Sequence, residues 1–192
     1  MRSPAKPVGN KPTPLKLDLA CSANKREGYL GVDYVETRDT DMVLDLLQFP
    51  WPWQDSSVEA IHSSHFVEHI PHDIPGVDRE GFFAFMDECH RVLQPDGVAE
   101  FIHPYAMNTR AFQDPTHRRF IPEATWYYLN REWRETQGLQ HYKVNCDFEV
   151  VTIVGLGVND AVQLRAQEAQ DFARAHYWHV IADLHVTLRA RK

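Results

Sequence analysis

The chain has few cysteines and no long apolar segment. Its three cysteines, Cys21, Cys89 and Cys146, are odd in number and far apart in the sequence. This spacing does not suit a disulfide framework, so we expect free thiols in a reducing compartment and a cytoplasmic location. No run approaches the roughly 20 apolar residues that a transmembrane helix requires. The sequence therefore predicts no membrane association.

An excess of basic residues is also missing. The 192 residues contain 20 Lys and Arg against 27 Asp and Glu, which gives a formal net charge of −7. Proteins that bind nucleic acids usually present a basic patch or stripe to the phosphates. A DNA or RNA substrate is therefore disfavoured, although a local patch at Arg118 and Arg119 stays open.

Proline content and length divide the chain into an arm and a domain. Residues 1–14 combine prolines with basic residues and have no apolar core. This composition predicts a flexible N-terminal arm, and neither a signal peptide nor a membrane anchor. Residues 15–192 are enough for one domain with a single substantial core.

The stretch from Leu15 to Asp33 is typical of a strand, a loop and a second strand. Leucines alternate with polar residues as far as Leu19. Three small residues follow: Ala20, Cys21 and Ser22. The loop runs to Gly28, and the next short strand ends on Asp33, whose carboxylate could accept hydrogen bonds from a ribose diol.

Two further strand patterns lead into polar residues. Met42 to Leu46 predicts a third short buried strand, with Asp45 near its end. Asp45 has an alternative role, in which it caps a turn before the prolines that follow. The fourth strand, Val58 to Ser64, runs directly into the segment SHFVEH, which begins at Ser64.

The segment from Glu80 to Leu93 has helical periodicity. Its apolar face consists of Phe82, Phe85, Met86, Cys89, Val92 and Leu93. Pro95, Asp96 and Gly97 predict a tight turn, followed by a fifth strand from Val98 to His103.

The C-terminal part predicts two more strands with a helix between them. Phe148 to Val154 and Leu184 to Ala190 have strand patterns, and residues 160–176 have a helical pattern.

These segments, in this order, resemble the class I S-adenosylmethionine-dependent methyltransferases. The resemblance is carried by residues 15–33, the pair Asp45-Leu46, the SHFVEH segment and the string ECHRVLQPDG. It corresponds to a short form that lacks most of the helix between the first two strands. The resemblance implies an α/β fold: a Rossmann-like, doubly wound, mostly parallel sheet with helices on both faces and an antiparallel C-terminal edge, in a single domain.

The resemblance also implies S-adenosylmethionine as cofactor, bound outside the carboxyl ends of the strands. Asp33 would bind the ribose and Asp45 would lie beside the adenine. The positions that the resemblance assigns to the cofactor are Ala20, Cys21, Ser22, Asp33, Asp45, Leu46, Ser64 and His65. The family usually has glycines where this chain has Ala20 and Ser22, because Gly lets the backbone pass close to the cofactor.

In the resembled family the chain after the fifth strand crosses the methyl-donor end of the cofactor. Residues 104–148 are therefore expected to cover the acceptor side of the pocket. The predicted substrate-binding residues there are Tyr105, Asp114, His117, Arg118 and Trp126, which would suit a small or medium polar acceptor. The candidates for a general base are His65, His103 and His117. The alternative is that the aromatic residues belong to the core, Asp114 to a turn and the arginines to the surface.

Two other functions compete with methyl transfer. The first is a non-catalytic methyltransferase-like binding module, which the missing glycines favour. The second is a zinc hydrolase, because His65, Glu68 and His69 spell H-x-x-E-H. That motif needs a long helix and a third ligand, and Pro71 ends any helix here within about one turn. We therefore expect no metal, and the sequence leaves the oligomeric state open.

Overall fold

The computed structural model describes residues 14–192, so the predicted arm lies outside the described residues except for its last position. The strands in this range are β1 Leu15–Leu19, β2 Leu30–Asp33, β3 Met42–Val43, β4 Val58–Ser64, β5 Leu93–Pro104, β6 Phe148–Leu156 and β7 Asp183–Ala190. The α-helices are α1 Gly81–Val92, α2 Arg110–Gln113, α3 Arg131–Thr136, α4 Asp160–Gln163 and α5 Gln167–His176. There are also two 3-10 helices, η1 Val67–His69 and η2 Glu123–Leu129. No helix between residues 14 and 192 is long and apolar enough to cross a bilayer.

The strands form one sheet in the order β3-β2-β1-β4-β5-β7-β6. Strands β1 to β5 pair in parallel, whereas β7 runs antiparallel to both β5 and β6. The predicted α/β fold, with a mostly parallel Rossmann-like sheet and an antiparallel C-terminal edge, is confirmed. The strand order reverses between β1 and β4, and open α/β sheets bind ligands at such a point, beyond the carboxyl ends of the strands.

The third and fifth strands differ in extent from the sequence prediction. Strand β3 has only two residues, because a turn at Asp45 begins where the strand was expected to continue. The Asp45 carboxylate accepts a hydrogen bond from the Leu47 N–H at 2.9 Å. Strand β5 begins early, because Leu93 already pairs with Val58 before the predicted turn, in which Asp96 has φ 62°. The predicted C-terminal helical segment is divided into α4 and α5.

Helix α1 packs its apolar stripe against one face of the sheet. The helix begins after Glu80, whose carboxylate accepts hydrogen bonds from the N–H groups of Phe82 and Phe83 at 2.9 and 3.3 Å. The predicted apolar face is confirmed, since all its members are buried: Phe82, Phe85, Met86, Cys89, Val92 and Leu93. Burial of each large apolar side chain contributes about 1.5–3 kcal/mol.

The 3-10 helix η2 adds to the same apolar layer. Trp126 is fully buried and stacks on Phe101 of β5 with ring centroids 5.3 Å apart. It also meets Phe82 of α1 edge-on at 5.7 Å. Trp126 and Leu129 of η2 are therefore part of the core on this face, and Trp126 does not face an acceptor pocket.

The opposite face of the sheet is polar near β1. The register places Asp18, His62, Glu100 and Thr187 side by side on four adjacent strands. The buried Asp18 carboxylate lies 2.7 Å from His62 Nδ1. Glu100 Oε1 lies 3.5 Å from Nε2 of His185. This row contrasts with the apolar row that faces α1.

The connections between β1 and β2, β2 and β3, and β3 and β4 contain no helix. Helices on both faces were expected, and near β1 the loop from 20 to 29 covers the sheet instead. The Arg26 N–H donates to Asp18 Oδ2 at 2.6 Å, and the Arg26 guanidinium pairs with Glu100. Tyr29 lies beneath Arg26, with the guanidinium carbon 5.2 Å from the ring centroid. A short loop with charged and aromatic side chains thus replaces a crossover helix.

Neither edge of the sheet consists of a long, regular strand. At one edge β3 is only two residues long. At the other edge β6 pairs only with β7, and its register shifts between Val150 and Thr152. Val151 lies at this bulge and is partly exposed.

We predict that Trp126→Ala destabilises the protein by about 3–5 kcal/mol, because it removes a buried aromatic side chain and leaves a cavity. The neighbouring Tyr127 is 41% exposed and provides a matched control. Tyr127→Ala should change the free energy of unfolding by no more than about 0.5 kcal/mol. Denaturant unfolding of both variants checks this. Similar small changes in both would mean that η2 is not part of the core.

Candidate functional site

The carboxyl ends of β1, β2 and β4 lie together at one edge of the sheet. Most of the residues predicted to bind the cofactor end or follow these strands: Ala20, Cys21, Ser22, Asp33, Ser64 and His65. Parallel pairing of adjacent strands brings them to this edge although they are distant in sequence.

The loop after β1 has a backbone that normally favours glycine. Ala20 has φ 57° and Ser22 has φ 50°. Between them, the Cys21 N–H donates to the Val32 carbonyl at 3.2 Å, so the loop turns back onto β2. The chain thus keeps a left-handed conformation at both positions where the resembled family has glycines. A left-handed backbone costs a non-glycine residue roughly 1–2 kcal/mol.

Asp33 joins this loop to the end of β2. Its carboxylate is largely buried and accepts hydrogen bonds from the Ser22 N–H at 2.9 Å and the Val35 N–H at 3.0 Å. A carboxylate has about four acceptor positions, so two amide hydrogen bonds leave capacity for a ligand hydroxyl. The predicted position of Asp33 is confirmed, and its role at a ribose stays a prediction.

The adjacent loop is fixed by a second carboxylate. Asp41 accepts a hydrogen bond from the Gly31 N–H at 2.7 Å and pairs with the Lys25 ammonium at 2.7 Å. These contacts with Lys25 and Gly31 lower the pKa of Asp41. A Cβ at Gly31 would collide with the Asp39 carbonyl, so this close approach of loop and strand requires glycine.

The predicted adenine-side pair, Asp45 and Leu46, divides into an exposed and a buried residue. Asp45 is exposed and caps its own turn, as in the alternative role considered for it. Leu46 is buried, and its carbonyl accepts a hydrogen bond from Trp51 Nε1 at 3.2 Å. The turn cap uses one carboxylate oxygen of Asp45, and the role beside an adenine stays a prediction.

Exposed apolar side chains that were not predicted to be functional lie beside Asp33. Tyr34 is 74% exposed and Val35 is 46% exposed. Val43 is also exposed and pairs with Asp33 in the β2–β3 register. Tyr34 and Val35 directly follow Asp33 in the sequence. An apolar surface beside this strand end could have been predicted from that position.

His65 lies just beyond the end of β4 in an unusual conformation. Its φ is 56°, and its N–H donates to the Ile102 carbonyl at 2.8 Å. The imidazole is partly exposed, and its Nδ1 lies 3.3 Å from Oε1 of the buried Glu68. This carboxylate raises the pKa of His65, partly opposed by burial. Strained residues of this kind cluster at functional sites.

His103, another predicted base, lies in the core. Its Nδ1–H donates to the Pro104 carbonyl at 2.9 Å, and its Nε2 accepts a hydrogen bond from Trp126 Nε1 at 3.2 Å. Burial lowers the pKa of His103, which favours the neutral ring. A fully buried imidazole with both nitrogens engaged is not available to an acceptor, so the placement argues against a catalytic role.

The predicted acceptor-side residues do not form one surface. Tyr105 and Trp126 are buried, and burial next to Glu123 raises the pKa of Tyr105 to about 12. Asp114 caps its own turn by accepting hydrogen bonds from the N–H and hydroxyl of Thr116. Of the predicted set, Arg118 is exposed and His117 is partly exposed.

Arg119 does not contribute to a basic patch. Its guanidinium donates to the Ile70 and Pro71 carbonyls at 2.8 and 2.7 Å and pairs with Glu80. Of the two arginines that could form a local basic patch, Arg118 is therefore the exposed one.

Three exposed aromatic residues near His117 were not predicted. Phe112 stacks on Phe120 with ring centroids 4.2 Å apart, and Trp178 lies 6.0 Å from Phe112. Each is about half exposed. The His117 Nδ1–H donates to the carbonyl of Ala111, the residue before Phe112. Trp178 comes from the β6–β7 connection, so no local sequence pattern could have united the three.

A cavity of about 760 Å³ lies between α1 and the loops around residues 47–49 and 75–79, and its lining includes none of the residues predicted to bind the cofactor. Both arginines of its lining are already paired: Arg79 with Asp87 at 2.8 Å, and Arg91 with Glu88 at 2.6 Å. Paired side chains have little capacity for a charged ligand, so this cavity is a poor candidate for the cofactor.

The H-x-x-E-H segment does not form a zinc-protease helix. The 3-10 helix η1 covers only Val67–His69, and Ile70 is already extended. His65 precedes this helix and has a left-handed backbone, so His65 and His69 do not share a helical face.

No protein-family model matches the chain, and no curated protein matches it. Among solved structures it is similar to an S-adenosylmethionine-dependent methyltransferase from Archaeoglobus fulgidus, with 17% identity, TM-score 0.56, and 93% of this chain and 87% of that chain covered. A second such methyltransferase, from Mesorhizobium loti, has 14% identity and TM-score 0.53 over 91% and 90% of the two chains. A third similar structure is the complex between the Haloferax volcanii Trm112 methyltransferase activator and a methyltransferase, with 13% identity and TM-score 0.54 over 94% and 84%. The chain therefore has the class I S-adenosylmethionine-dependent methyltransferase fold, as the sequence resemblance implies.

We predict that Ala20→Gly stabilises the protein by up to about 1.6 kcal/mol. Glycine relieves the left-handed strain of roughly 1–2 kcal/mol, and its greater freedom in the unfolded chain offsets about 0.4–1 kcal/mol of that gain. Ala23 lies in the same loop without a positive φ and serves as control. Ala23→Gly should destabilise by about 0.4–1 kcal/mol. Equal losses in denaturant unfolding of both variants would contradict the strain at Ala20.

Proposed function

We propose that this chain binds S-adenosylmethionine at the carboxyl edge of its sheet and transfers the methyl group to a small or medium polar acceptor. The observation that carries the proposal is the left-handed loop at Ala20 and Ser22, joined to Asp33 by the Ser22 N–H. It lies at the point where the strand order of a methyltransferase-type sheet reverses.

The residues at this edge fit the chemistry of the cofactor. The loop has the backbone conformation that glycines would give it, although Ala20 and Ser22 each add a Cβ. Asp33 retains acceptor capacity for the ribose hydroxyls, and Asp45 has a second carboxylate oxygen for the adenine amino group. Tyr34 and Val35 offer exposed apolar surface beside Asp33, where an adenine ring could pack.

When bound, the cofactor would supply an electrophilic methyl group on its sulfonium. The protein's own contribution would be to align the donor with the acceptor and to exclude water, since such a displacement depends mainly on geometry. Ser64 and His65, at the end of β4, are the proposed residues on the methyl-donor side. The exposed rings of Phe112, Phe120 and Trp178 would pack against an apolar part of the acceptor, and Arg118 would pair with an acidic group on it.

We propose a reducing, cytoplasmic setting for this reaction. The three cysteines are free and buried, as a protein without structural disulfides would have them. The formal charge of −7 argues against a nucleic-acid acceptor, and Arg119 is already engaged within the fold.

Asp33→Ala should weaken binding of S-adenosylhomocysteine by about tenfold to over a hundredfold. The basis is loss of a charged hydrogen-bond partner, worth roughly 1.5–3 kcal/mol. Calorimetric titration measures the affinity, and a melting curve verifies that the variant is folded.

The matched control is Glu36→Ala, which removes an exposed carboxylate from the next loop. It should leave the affinity within about 0.5 kcal/mol of the parent. Unchanged affinity in a folded Asp33→Ala protein would refute the ribose assignment.

A non-catalytic binding module is the second candidate function. The side chains of Ala20 and Ser22 favour it, because they occupy space where the resembled family has glycines. A screen of small polar metabolites with cofactor labelled on its methyl group separates the two functions. Binding of S-adenosylhomocysteine without label transfer to any acceptor would favour the module, and transfer would establish the enzyme.

A further inference from the structure

Three potential metal ligands meet beside the carboxyl edge of the sheet. One ligand atom from each of Glu68, His69 and His117 lies within 4.8 Å of the other two. The rings of His69 and His117 are 4.7 Å apart between centroids. No metal was expected, because Pro71 shortens the helix that the H-x-x-E-H motif needs and no third ligand stood out. In the fold, His117 from the loop after α2 joins Glu68 and His69, and His65 is not a member of this cluster.

The carboxylate in this cluster is buried and lacks a hydrogen bond. Glu68 is 2% exposed, and neither of its carboxylate oxygens accepts a hydrogen bond from a described residue. Its 3.3 Å approach to His65 Nδ1 is the ion-pair contact already described. Burial of an ionised carboxylate costs several kcal/mol unless hydrogen bonds, an opposite charge or a metal compensate. A bound cation would provide that compensation.

The hydrogen bonds of the two imidazoles leave one nitrogen of each ring as a ligand. His117 uses Nδ1–H to donate to the Ala111 carbonyl at 2.8 Å, so its Nε2 carries the lone pair. The Thr116 hydroxyl gives its hydrogen to the Asp114 carboxylate at 2.6 Å and therefore accepts from His69 Nδ1–H at 3.0 Å. Metal-binding histidines usually donate their other N–H to a carbonyl, a carboxylate or a similar acceptor, which fixes the ring.

The two segments that carry the ligands are held together independently of any ion. The N–H groups of Arg118 and Arg119 both donate to the Glu68 carbonyl, at 2.7 and 3.1 Å. The Arg119 side chain adds hydrogen bonds to the Ile70 and Pro71 carbonyls. The loop that contains His117 is thus attached to η1 by backbone contacts, and the three ligands are brought together before a metal binds.

We propose that Glu68, His69 and His117 form a binding site for one divalent transition-metal ion of the zinc, cobalt or iron(II) class. Two imidazoles and one carboxylate suit these ions, whereas Mg²⁺ and Ca²⁺ prefer oxygen ligands. Three protein ligands leave a coordination position open. If the proposed methyl transfer is correct, an acceptor oxygen or nitrogen would bind at that position. The metal site itself does not depend on that function.

The test measures metal binding without cofactor or acceptor. Purified protein is freed of metal with a chelator and titrated with Co²⁺, whose visible absorption reports its ligands, and Zn²⁺ then displaces it. We expect one equivalent to bind. His117→Ala should weaken Co²⁺ binding by more than about tenfold, since even residues that only orient a ligand contribute about 10–100-fold.

Two further variants test the roles of Thr116 and Glu68 in metal binding. Thr116→Val retains all three ligands but removes the acceptor of His69 Nδ1–H, and should weaken binding by about 10–100-fold. Glu68→Gln should abolish the rise in melting temperature that the metal gives the parent. The metal-free variant should melt no lower than the metal-free parent, because Gln keeps the shape of the side chain and removes a buried charge that accepts no hydrogen bond.

The control is His141→Ala, which removes an exposed histidine outside the cluster and should bind Co²⁺ like the parent. Absence of stoichiometric binding in the parent would overturn the proposal. So would parent-like binding in His117→Ala, or equal weakening in His141→Ala, since binding would then involve surface histidines. None of these outcomes depends on S-adenosylhomocysteine binding, so the metal site and the methyl-transfer function can fail separately.

Discussion

The contacts of the buried Asp18 carboxylate hold together strands β1 and β4 in the middle of the sheet. It accepts the Arg26 N–H and contacts the His62 ring, so it joins β1, β4 and the loop between β1 and β2. In a doubly wound sheet a helix normally performs this task by burying apolar surface. Here the connection between β1 and β2 is too short for a helix. Arg26 and Tyr29 cover the strands instead, and the Arg26 N–H donates to the Asp18 carboxylate. The same loop begins with Ala20 and Ser22. One segment therefore contains both the residues that cover the sheet and residues of the candidate cofactor site.

Three of the six non-glycine residues with positive φ between residues 14 and 192 lie at the candidate site. Ala20 and Ser22 follow β1, and His65 follows β4, and all three have positive φ without being glycine. The two strands are neighbours at the reversal of strand order. Such conformations persist only where surrounding contacts enforce them. Here the Ser22 N–H is held by Asp33 and the His65 N–H by the Ile102 carbonyl, so the strain is fixed by specific hydrogen bonds.

Local periodicity explains which parts of the fold could be predicted from the sequence. The apolar stripe of α1 and the alternation in β1 and β7 depend on neighbouring residues, and these elements have the predicted type. The position of Asp33 at a strand end was predictable for the same reason. The length of strand β3 was overestimated, because a short apolar run does not reveal that the Asp45 side chain closes a turn within it.

The roles of aromatic and histidine residues could not be predicted in this way. Trp126 and Phe112 are both aromatic residues in the segment after β5, yet one is fully buried and the other is half exposed. Their difference comes from tertiary contacts, since Trp126 packs on Phe101 of β5 whereas Phe112 contacts the exposed ring of Phe120. His69 and His117 meet because two backbone N–H groups attach their segments to each other. Contacts of this kind depend on tertiary structure and leave no pattern in the sequence.

The bulge in β6 has a consequence for how molecules of this protein meet one another. An edge strand presents unpaired N–H and C=O groups to which a strand of another molecule can add. In β6 the register shift between Val150 and Thr152 breaks this row midway, next to the partly exposed Val151. Bulges twist and interrupt an edge, and the opposite edge strand is only two residues long. Growth of the sheet from molecule to molecule is therefore obstructed at both ends, which protects the apolar side chains of β6 from aggregation.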